Sequence, residues 1–350
     1  MPIDTCLSNL SVLLLFNLDP TWPEPEQEEV LQVTSQLDRA IARLGYQTIL
    51  VPVTDNDLDR ILSKYDPIEH IVFNCCESLP GIAHSEWLVA EYLEQRGFTF
   101  TGASSATIAL TQDKIRTKQL LDETGIPTPK WQTYNGTPNV NWRRFPAIVK
   151  PSREHCSEGI DRNAIVMTDA ELKNRVGYIL KKYRQPALVE DFIDGRELHV
   201  SLWESGSIDM LPPAEMEFSS FVDEHDRICS YEAKFVPESE QYQKIKTVLP
   251  APLTEDELRD VEQVCRASYI AAGCRDYARI DMRIKDGDMY VIDVNPNADI
   301  SPDTSTISAA ELAGYSYGEF GGHIINMAAR RHPVREGRVS FTASAARVRW

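Results

Sequence analysis

Apolar positions along this chain follow two rhythms: short unbroken runs of strand length, and longer stretches spaced at three and four residues. Near the start the two alternate. Residues 11–16 are an apolar run that closes on Asn17-Leu18-Asp19-Pro20, a buried strand running into a loop. The loop, residues 19–26, is rich in proline and glutamate. Residues 27–44 carry helical spacing and stop at Gly45; residues 48–53 predict a second strand, 57–65 a second helix and 70–74 a third strand. Strands alternating with helices predict a parallel sheet with crossover helices, whose ligands sit beyond the carboxyl ends of the strands. Those ends carry Asn17, the Pro/Glu loop and the segment from Asn74 to Glu77.

A helix over 85–96 ends at Gly97, a short β-prone piece covers 98–101, and a further helix covers 111–123. The rhythm then changes. From 131 to about 236, β-rich stretches dominate at 147–150, 187–191, 197–203 and 208–210, interrupted by a helix at 169–183. Residues 255–272 read as a helix, 277–284 and 289–294 as strands, and 309–329 as one closing helix with a Gly-rich middle. The pattern is an α/β lobe followed by two α+β regions, which suits 350 residues.

Composition narrows the function. A formal net charge of −17 speaks against general nucleic-acid binding, which needs a basic footprint. Seven cysteines, an odd number without regular spacing, point away from a disulfide framework and towards a reducing compartment. The first apolar run is too short to span a membrane and lacks the flanks of a signal peptide, so the expectation is a cytoplasmic protein. Arg331, Arg335, Arg338, Arg347 and Arg349 crowd the end of this acidic chain; we read them as a solvated or disordered terminus rather than a docking element for an acidic partner.

Candidate chemistry gathers on two alternating stretches, Ala278-Arg279-Ile280-Asp281-Met282-Arg283 and Tyr290-Val291-Ile292-Asp293-Val294-Asn295. Lys285-Asp286-Gly287-Asp288 between them has the composition of a hairpin turn. Alternation puts Arg279, Asp281 and Arg283 on one face of the first strand, and Asp293 and Asn295 on one face of the second. Pairing can bring Asp281 close to Asp293, where the two carboxylates repel unless a cation lies between them. Two readings stay open: a solvent-facing polar strand face, and an all-oxygen site for Mg²⁺ or Mn²⁺. Arg279 on the same face fits the second, with a phosphate shared between arginine and metal.

Lys150 ends an apolar strand, either snorkelling to water or facing a ligand. The loop after it, Ser152-Arg153-Glu154-His155-Cys156-Ser157-Glu158-Gly159, is small and polar and suits backbone contacts to phosphates, although GxxxxGK[ST] is missing. In Ala187-Leu188-Val189-Glu190-Asp191-Phe192, Glu190 and Phe192 share a face, an acceptor beside an aromatic that suits an adenine edge; Glu197 can accept from ribose hydroxyls.

Taken in order, Thr101-Gly102, Asp113-Lys114-Ile115-Arg116-Thr117-Lys118, Val149-Lys150-Pro151-Ser152-Arg153-Glu154, Tyr231-Glu232-Ala233-Lys234, Arg279-Ile280-Asp281 and Asp293-Val294-Asn295 resemble the D-alanine–D-alanine ligases of the ATP-grasp superfamily, across roughly residues 12–329. The resemblance implies an α/β plus α+β ATP-grasp fold of three lobes, with a Rossmann-like parallel-sheet lobe first and the nucleotide between the other two. Its divisions would be 1–107, 108–187 and 188–333, with a basic tail at 334–350. It implies that Lys114 and Lys150 contact the α and β phosphates under the loop carrying Ser157. Glu190 would meet the adenine amino group with Phe192 beside it, and Glu197 the ribose. Lys234 would reach the transferred phosphate from a mobile loop, and Arg279 would steady the tetrahedral intermediate. Asp281, Asp293 and Asn295 would bind two Mg²⁺ ions, and Glu28, with Glu26 next, would bind the substrate amine. A homodimer is also implied.

The departures from the family pattern fall where amino acids would bind. His155-Cys156-Ser157 replaces a Gly-Ser-Ser loop, Phe235 replaces a tyrosine after Lys234, and Asn295-Pro296-Asn297-Ala298-Asp299 puts Asp299 where glycine is usual. Cys156 and Phe235 cannot rebuild the usual hydroxyl network. Asp299 repels a carboxylate or attracts a cation. Phe16-Asn17-Leu18-Asp19 replaces a Gly-Gly-x-Ser start, and Asn74 and Glu77 replace a His-Gly-rich stretch. The expected function is an ATP-dependent carboxylate–amine ligase joining two amino acids through an acyl phosphate, with D-alanine not both substrates. A genuine D-alanine–D-alanine ligase and a non-catalytic ATP-binding module are the alternatives; Arg279 on the metal face argues against the module.

Overall fold

The computed structural model describes residues 10–136 and 140–333. β1 (Ser11–Asn17), β2 (Gln47–Val53), β3 (His70–Cys75) and β4 (Thr99–Phe100) pair in parallel in the order β2-β1-β3-β4. Helices α1 (Glu24–Ala42), α2 (Leu58–Leu62) and α3 (Glu86–Gln95) connect them. Both faces of β1 are covered, which is why its sequence is a continuous apolar run rather than an alternating one.

The helix expected over 111–123 begins at Lys114, as α5 (Lys114–Glu123), and Thr111 ends a separate helix, α4 (Ser105–Thr111). Asp113 causes the break: its carboxylate accepts the backbone N–H groups of Ile115 and Arg116 and caps α5. The cap places Lys114 in the first turn of α5, with Lys118 one turn on.

A second sheet follows: β5 (Trp131–Tyr134), β6 (Ala147–Pro151), β7 (Ile165–Val166) and β8 (Ala187–Asp191), antiparallel in the order β5-β8-β6-β7. Helix α6 (Asp169–Lys182) covers one face. The third sheet is the largest. It contains β9 (Arg196–Glu204), β10 (Ile208–Met210), β11 (Ala214–Glu217), β12 (Lys246–Val248), β13 (Tyr277–Lys285) and β14 (Asp288–Asn295), in the order β12-β11-β9-β13-β14 with β10 beside β9. Between β11 and β12 lie two short helices, α7 (Tyr231–Phe235) and α8 (Glu240–Lys244), so the segment carrying Lys234 is helical. Helix α9 (Glu255–Ala271) seals the far face through Val261, Cys265 and Tyr269 against Val200, Ile280 and Met282.

The closing helix is two, α10 (Ser305–Leu312) and α11 (Tyr317–Ala329), because Ser316 and Glu319 form a capping box that starts α11 afresh. Helix α11 packs on the first lobe: Phe320 and Ile324 join Leu14, Ile41 and Phe73 in one core. The last described helix thus completes the core of the first sheet.

The lobes meet at a buried polar seam. Asp276, fully buried with φ of 65°, accepts the backbone N–H of Gly102 at 2.8 Å and is paired with Arg331, whose Nη2 lies 2.8 Å from Oδ2. Arg331 also donates to the Phe100 carbonyl, at 2.9 Å. It is therefore part of the fold; Arg335, Arg338, Arg347 and Arg349 lie outside the described residues. Beside this contact, Asn297 accepts from the Ala103 N–H at 2.9 Å and donates to Glu86 at 2.7 Å. Gly102 makes the approach possible, since its φ is 84° and a Cβ there would lie 2.3 Å from Asn297 Oδ1.

Two stability outcomes follow. Asp276→Ala strands Arg331 and the Gly102 N–H, and costs about 3–5 kcal/mol in urea unfolding, with Asp276→Asn milder because asparagine tolerates positive φ. Glu86 behaves differently. Burial raises its carboxyl to about 8, with Glu77 adding and the Asn297 hydrogen bond opposing. The folded chain keeps a proton that the unfolded chain releases near 4.5, so stability falls as pH rises from about 4.5 to about 8. Glu86→Gln keeps the acceptor for Asn297 and removes that slope. Urea unfolding should show the variant more stable than wild type at pH 9, by roughly 1–3 kcal/mol, and equal to it at pH 4.5.

Candidate active site

The expected hairpin forms. Asp286 and Gly287, both at positive φ (54° and 87°), make the two-residue turn between β13 and β14. Asp281 stands directly opposite Asp293, and Arg279 opposite Asn295. Between Asp281 and Met282 the register slips, leaving Ile292 as the extra residue of a bulge. The bulge lies beside the two carboxylates.

Each carboxylate has its own cation. Arg279 reaches Asp281 with Nε at 2.6 Å and Nη2 at 2.9 Å, and Asn295 Nδ2 donates to the same group at 3.1 Å. Lys114 Nζ lies 3.2 Å from Asp293. Burial is the largest influence on both acids and opposes their ionisation, but Arg279 with His199 and Lys234 at Asp281, and Lys114 with Lys150 and His155 at Asp293, together outweigh it, and both titrate below the usual carboxylate range. The sequence placed these groups on one face; the structure brings all four together with Lys114.

A second charge cluster lies deeper. Glu190, on β8, is 1% exposed and sits between Lys118 Nζ, at 2.6 Å, and Lys150 on β6, a still shorter contact. The two lysines overcome burial and hold Glu190 ionised. Lys118 also reaches Thr128 Oγ1 at 2.6 Å. The motif containing Lys118 was quoted above without a role for it; its i, i+4 spacing from Lys114 was the available signal. Both oxygens of Glu190 face lysines rather than open space. Phe192 packs with Ile148, Ile165 and Ile228, its ring under the Arg283 guanidinium at 4.8 Å. Glu197 is bound by Arg283 through Nε at 2.9 Å and Nη2 at 2.6 Å, an arginine the strand alternation showed only as a face residue.

The loop after β6 turns through Cys156 and Ser157, both at positive φ (51° and 60°). Ser157 donates to the Cys229 carbonyl at 2.8 Å, and the Tyr231 N–H donates to the Ile160 carbonyl at 3.0 Å. These bonds tie the loop to α7, which carries Lys234. Lys234 is exposed and makes no ion pair among the described residues; its charge still acts on Asp281 and on Cys156. Phe235 is 51% exposed and lies against the Tyr231 ring at 4.9 Å. His155 lines a cleft with Glu86, Gln112, Asp293, Asn295 and Asn297. Burial and then Lys114 push its imidazole down to about 4, so it is neutral at neutral pH.

Glu77 and Asp299 form an acidic mouth near Cys156, close enough to act on one another. Burial first, then Asp299, raises the Glu77 carboxyl, and the Cys156 thiol is raised by burial and then by Glu77. Asp299 is exposed and accepts Ser301 N at 2.8 Å and Oγ at 2.7 Å. Two of the sequence candidates sit elsewhere. Asn74 is buried, and its amide oxygen accepts the Cys76 N–H at 3.2 Å, a local turn contact. Glu28 is on an exposed position of α1, with no hydrogen bond or ion pair among the described residues; proline-rich entry rather than any anchor sets the start of that helix, so nothing turns Glu28 inward. Asn17, by contrast, accepts the Glu77 N–H at 2.6 Å and so places Glu77.

The donor set fits a hard divalent cation and a phosphate chain. Asp281 and Asp293 supply carboxylate oxygens, and with its amide nitrogen engaged Asn295 retains a carbonyl oxygen; Lys114, Lys150 and Arg279 surround them. Among the described residues no helix is long and apolar enough to cross a membrane.

Comparison with known proteins agrees with this geometry. The profile of the D-ala D-ala ligase C-terminus matches residues 120–326. The uncharacterized protein y4sG of Sinorhizobium fredii is 32% identical over 321 residues, covering 89% of this chain and 92% of that one. The D-alanine–D-alanine ligase of Pseudothermotoga lettingae is 28% identical over 292 residues, 83% of this chain and 92% of its own. In fold, the D-alanine–D-alanine ligase of Bacillus anthracis complexed with ATP superposes with a TM-score of 0.71 at 21% identity, over 94% of this chain and 99% of that one. The chain, with its three sheets and its hairpin of paired acids, belongs to the D-alanine–D-alanine ligase family of ATP-grasp ligases.

Proposed function

We propose that this ATP-dependent ligase joins the carboxylate of one amino acid, or amino-acid-like acid, to the amine of a second through an acyl phosphate, and that D-alanine does not supply both. The acidic mouth carries the second half of the proposal. Glu77 and Asp299 act on each other and on Cys156, and the nearest replacements for hydroxyl partners are a thiol and the Phe235 ring. Such a mouth repels a second free carboxylate and favours a substrate with an additional cationic group, a diamino acid for instance.

Charge supports the first half. Lys114 and Lys150 each end on a carboxylate, and each can exchange that partner for a phosphate of ATP. Glu197 is held rigidly by Arg283 for a ribose hydroxyl. Magnesium held by Asp281, Asp293 and Asn295, two ions in this reading, supplies charge neutralisation at the phosphates. In the first step a carboxylate oxygen of the acid substrate bonds to the γ-phosphorus and ADP leaves. In the second the amine nitrogen bonds to the acyl carbon, inorganic phosphate leaves and the amine proton passes to solvent. Arg279, 14% exposed at its side chain, is placed to offset the oxyanion of that second step. Lys234 on α7 covers the transferred phosphate, and the loop of Ser157, bonded to the same segment, limits water.

Phosphate release measured over a panel of amino-acid pairs tests the reading. Pairs that include a diamino acid should turn over at least tenfold faster than D-alanine with itself. Rapid formation of D-alanyl-D-alanine would overturn it and favour the activity named for the Pseudothermotoga lettingae relative. Asp299→Gly should raise KM for the cationic substrate by about 10–100-fold while leaving KM for ATP nearly unchanged. Arg279→Ala should lower kcat by roughly 10²–10³, as expected for loss of one oxyanion partner.

A further inference from the structure

β9 runs beside β13, and the two rows Glu197–Arg283 and His199–Asp281 lie side by side on the same sheet. Glu197 and His199, two residues apart, share the face that looks towards the segment entering α7, where Cys229 is found. One oxygen of Glu197, one ring nitrogen of His199 and the sulfur of Cys229 all lie within 4.8 Å of one another. His199 Nε2 is 3.6 Å from Glu197 Oε1. A tetrahedral ion about 2.0–2.3 Å from each ligand needs ligand atoms about 3.3–3.8 Å apart, so the histidine–glutamate spacing is already in range and a small rotation brings the thiol in.

Each of the three is oriented from behind. Arg283 takes Glu197 Oε2 through two nitrogens and leaves Oε1 towards His199. Ser305 Oγ lies 3.4 Å from His199 Nδ1, which turns Nε2 inward. The Cys229 carbonyl is held by Ser157. Supporting contacts of this kind are what fix ligand direction in metal sites. The donors are one imidazole, one thiolate and one carboxylate, softer than the all-oxygen set of Asp281, Asp293 and Asn295 one row away, and they select a different ion.

We propose that Glu197, His199 and Cys229 form a second, thiolate-containing metal site for Zn²⁺ or a similar borderline ion, adjacent to and distinct from the magnesium donors. Binding releases the Cys229 thiol proton to solvent and adds one net positive charge beside Asp281. Since Glu197 is also assigned to the ribose, zinc and nucleotide compete; that consequence rests on the functional reading above, whereas the site itself does not.

Cobalt(II) titration of the full-length protein tests it. The expected result is a thiolate-to-cobalt charge-transfer band in the near ultraviolet that saturates at one ion per chain and is displaced by one equivalent of Zn²⁺. Cys229→Ser should abolish the band, and His199→Ala should weaken cobalt binding by about 10–100-fold, with thermal melts confirming that both variants fold. Cys156→Ser, the other thiol at this mouth, should leave the band intact. No band in the wild-type protein, or a band that survives in folded Cys229→Ser, overturns the site. An intact band with ATP affinity unchanged by one equivalent of zinc instead overturns the assignment of Glu197 to the ribose, and the metal site stands.

Discussion

Two carboxylates that repel one another organise this molecule. Asp281 and Asp293 stand opposite across β13 and β14, and two unit charges about 4 Å apart in a partly buried setting repel by about 4 kcal/mol. The fold answers with one cation for each. Arg279 comes from the same strand, two residues from Asp281, so alternation alone delivers it. Lys114 comes from another lobe, and its arrival depends on the Asp113 cap that starts α5 where it does. The next turn of the same helix carries Lys118 to Glu190, and Lys150 reaches Glu190 from β6. A chain of alternating charges therefore runs from the hairpin into the central sheet.

Much of this was legible in the sequence, for identifiable reasons. The hairpin was readable because Asp286-Gly287 sits between two alternating strands, a signal that depends only on neighbours. The parallel first sheet was readable from its strand–helix rhythm. The breaks at Gln112 and Gly314 were not anticipated, although Asp113 and the Ser316–Glu319 pair are cap signals. In both places an uninterrupted apolar spacing masked a local stop. Lys118, Arg283 and the arginine of the seam, Arg331, could not be recognised as paired, because their partners Glu190, Glu197 and Asp276 are distant in sequence and only the tertiary fold brings them together. Glu28 shows the opposite limit. A glutamate near the expected ligand end of a sheet was a reasonable candidate, but its position on the exposed side of α1 follows from helix phase, which the proline-rich entry obscured.

The order of the chain does not match the order of its packing. Helix α11 closes the core of the first sheet, with Phe320 and Ile324 against β1 and β3, so the beginning and the end of the described chain share one hydrophobic interior. The large sheet lies between them in sequence and is attached to that interior by the Asp276 seam. The hairpin of paired acids consequently hangs from a rigid joint at its first residues, and its angle to the first lobe is set by polar contacts with strict geometry rather than by apolar contact alone.

The segment that follows Asn295 illustrates what such a joint permits. Asn297 is fastened twice, to the Ala103 N–H and to Glu86, while Asp299 two residues later hydrogen-bonds, among the described residues, only within its own turn at Ser301. A fixed mount and a free tip occupy the same short stretch. Substitutions at the tip leave the docking of the lobes undisturbed, whereas substitutions at Asn297 cut both of its ties. The surface at the tip can therefore change by single steps while the architecture that positions the hairpin stays intact.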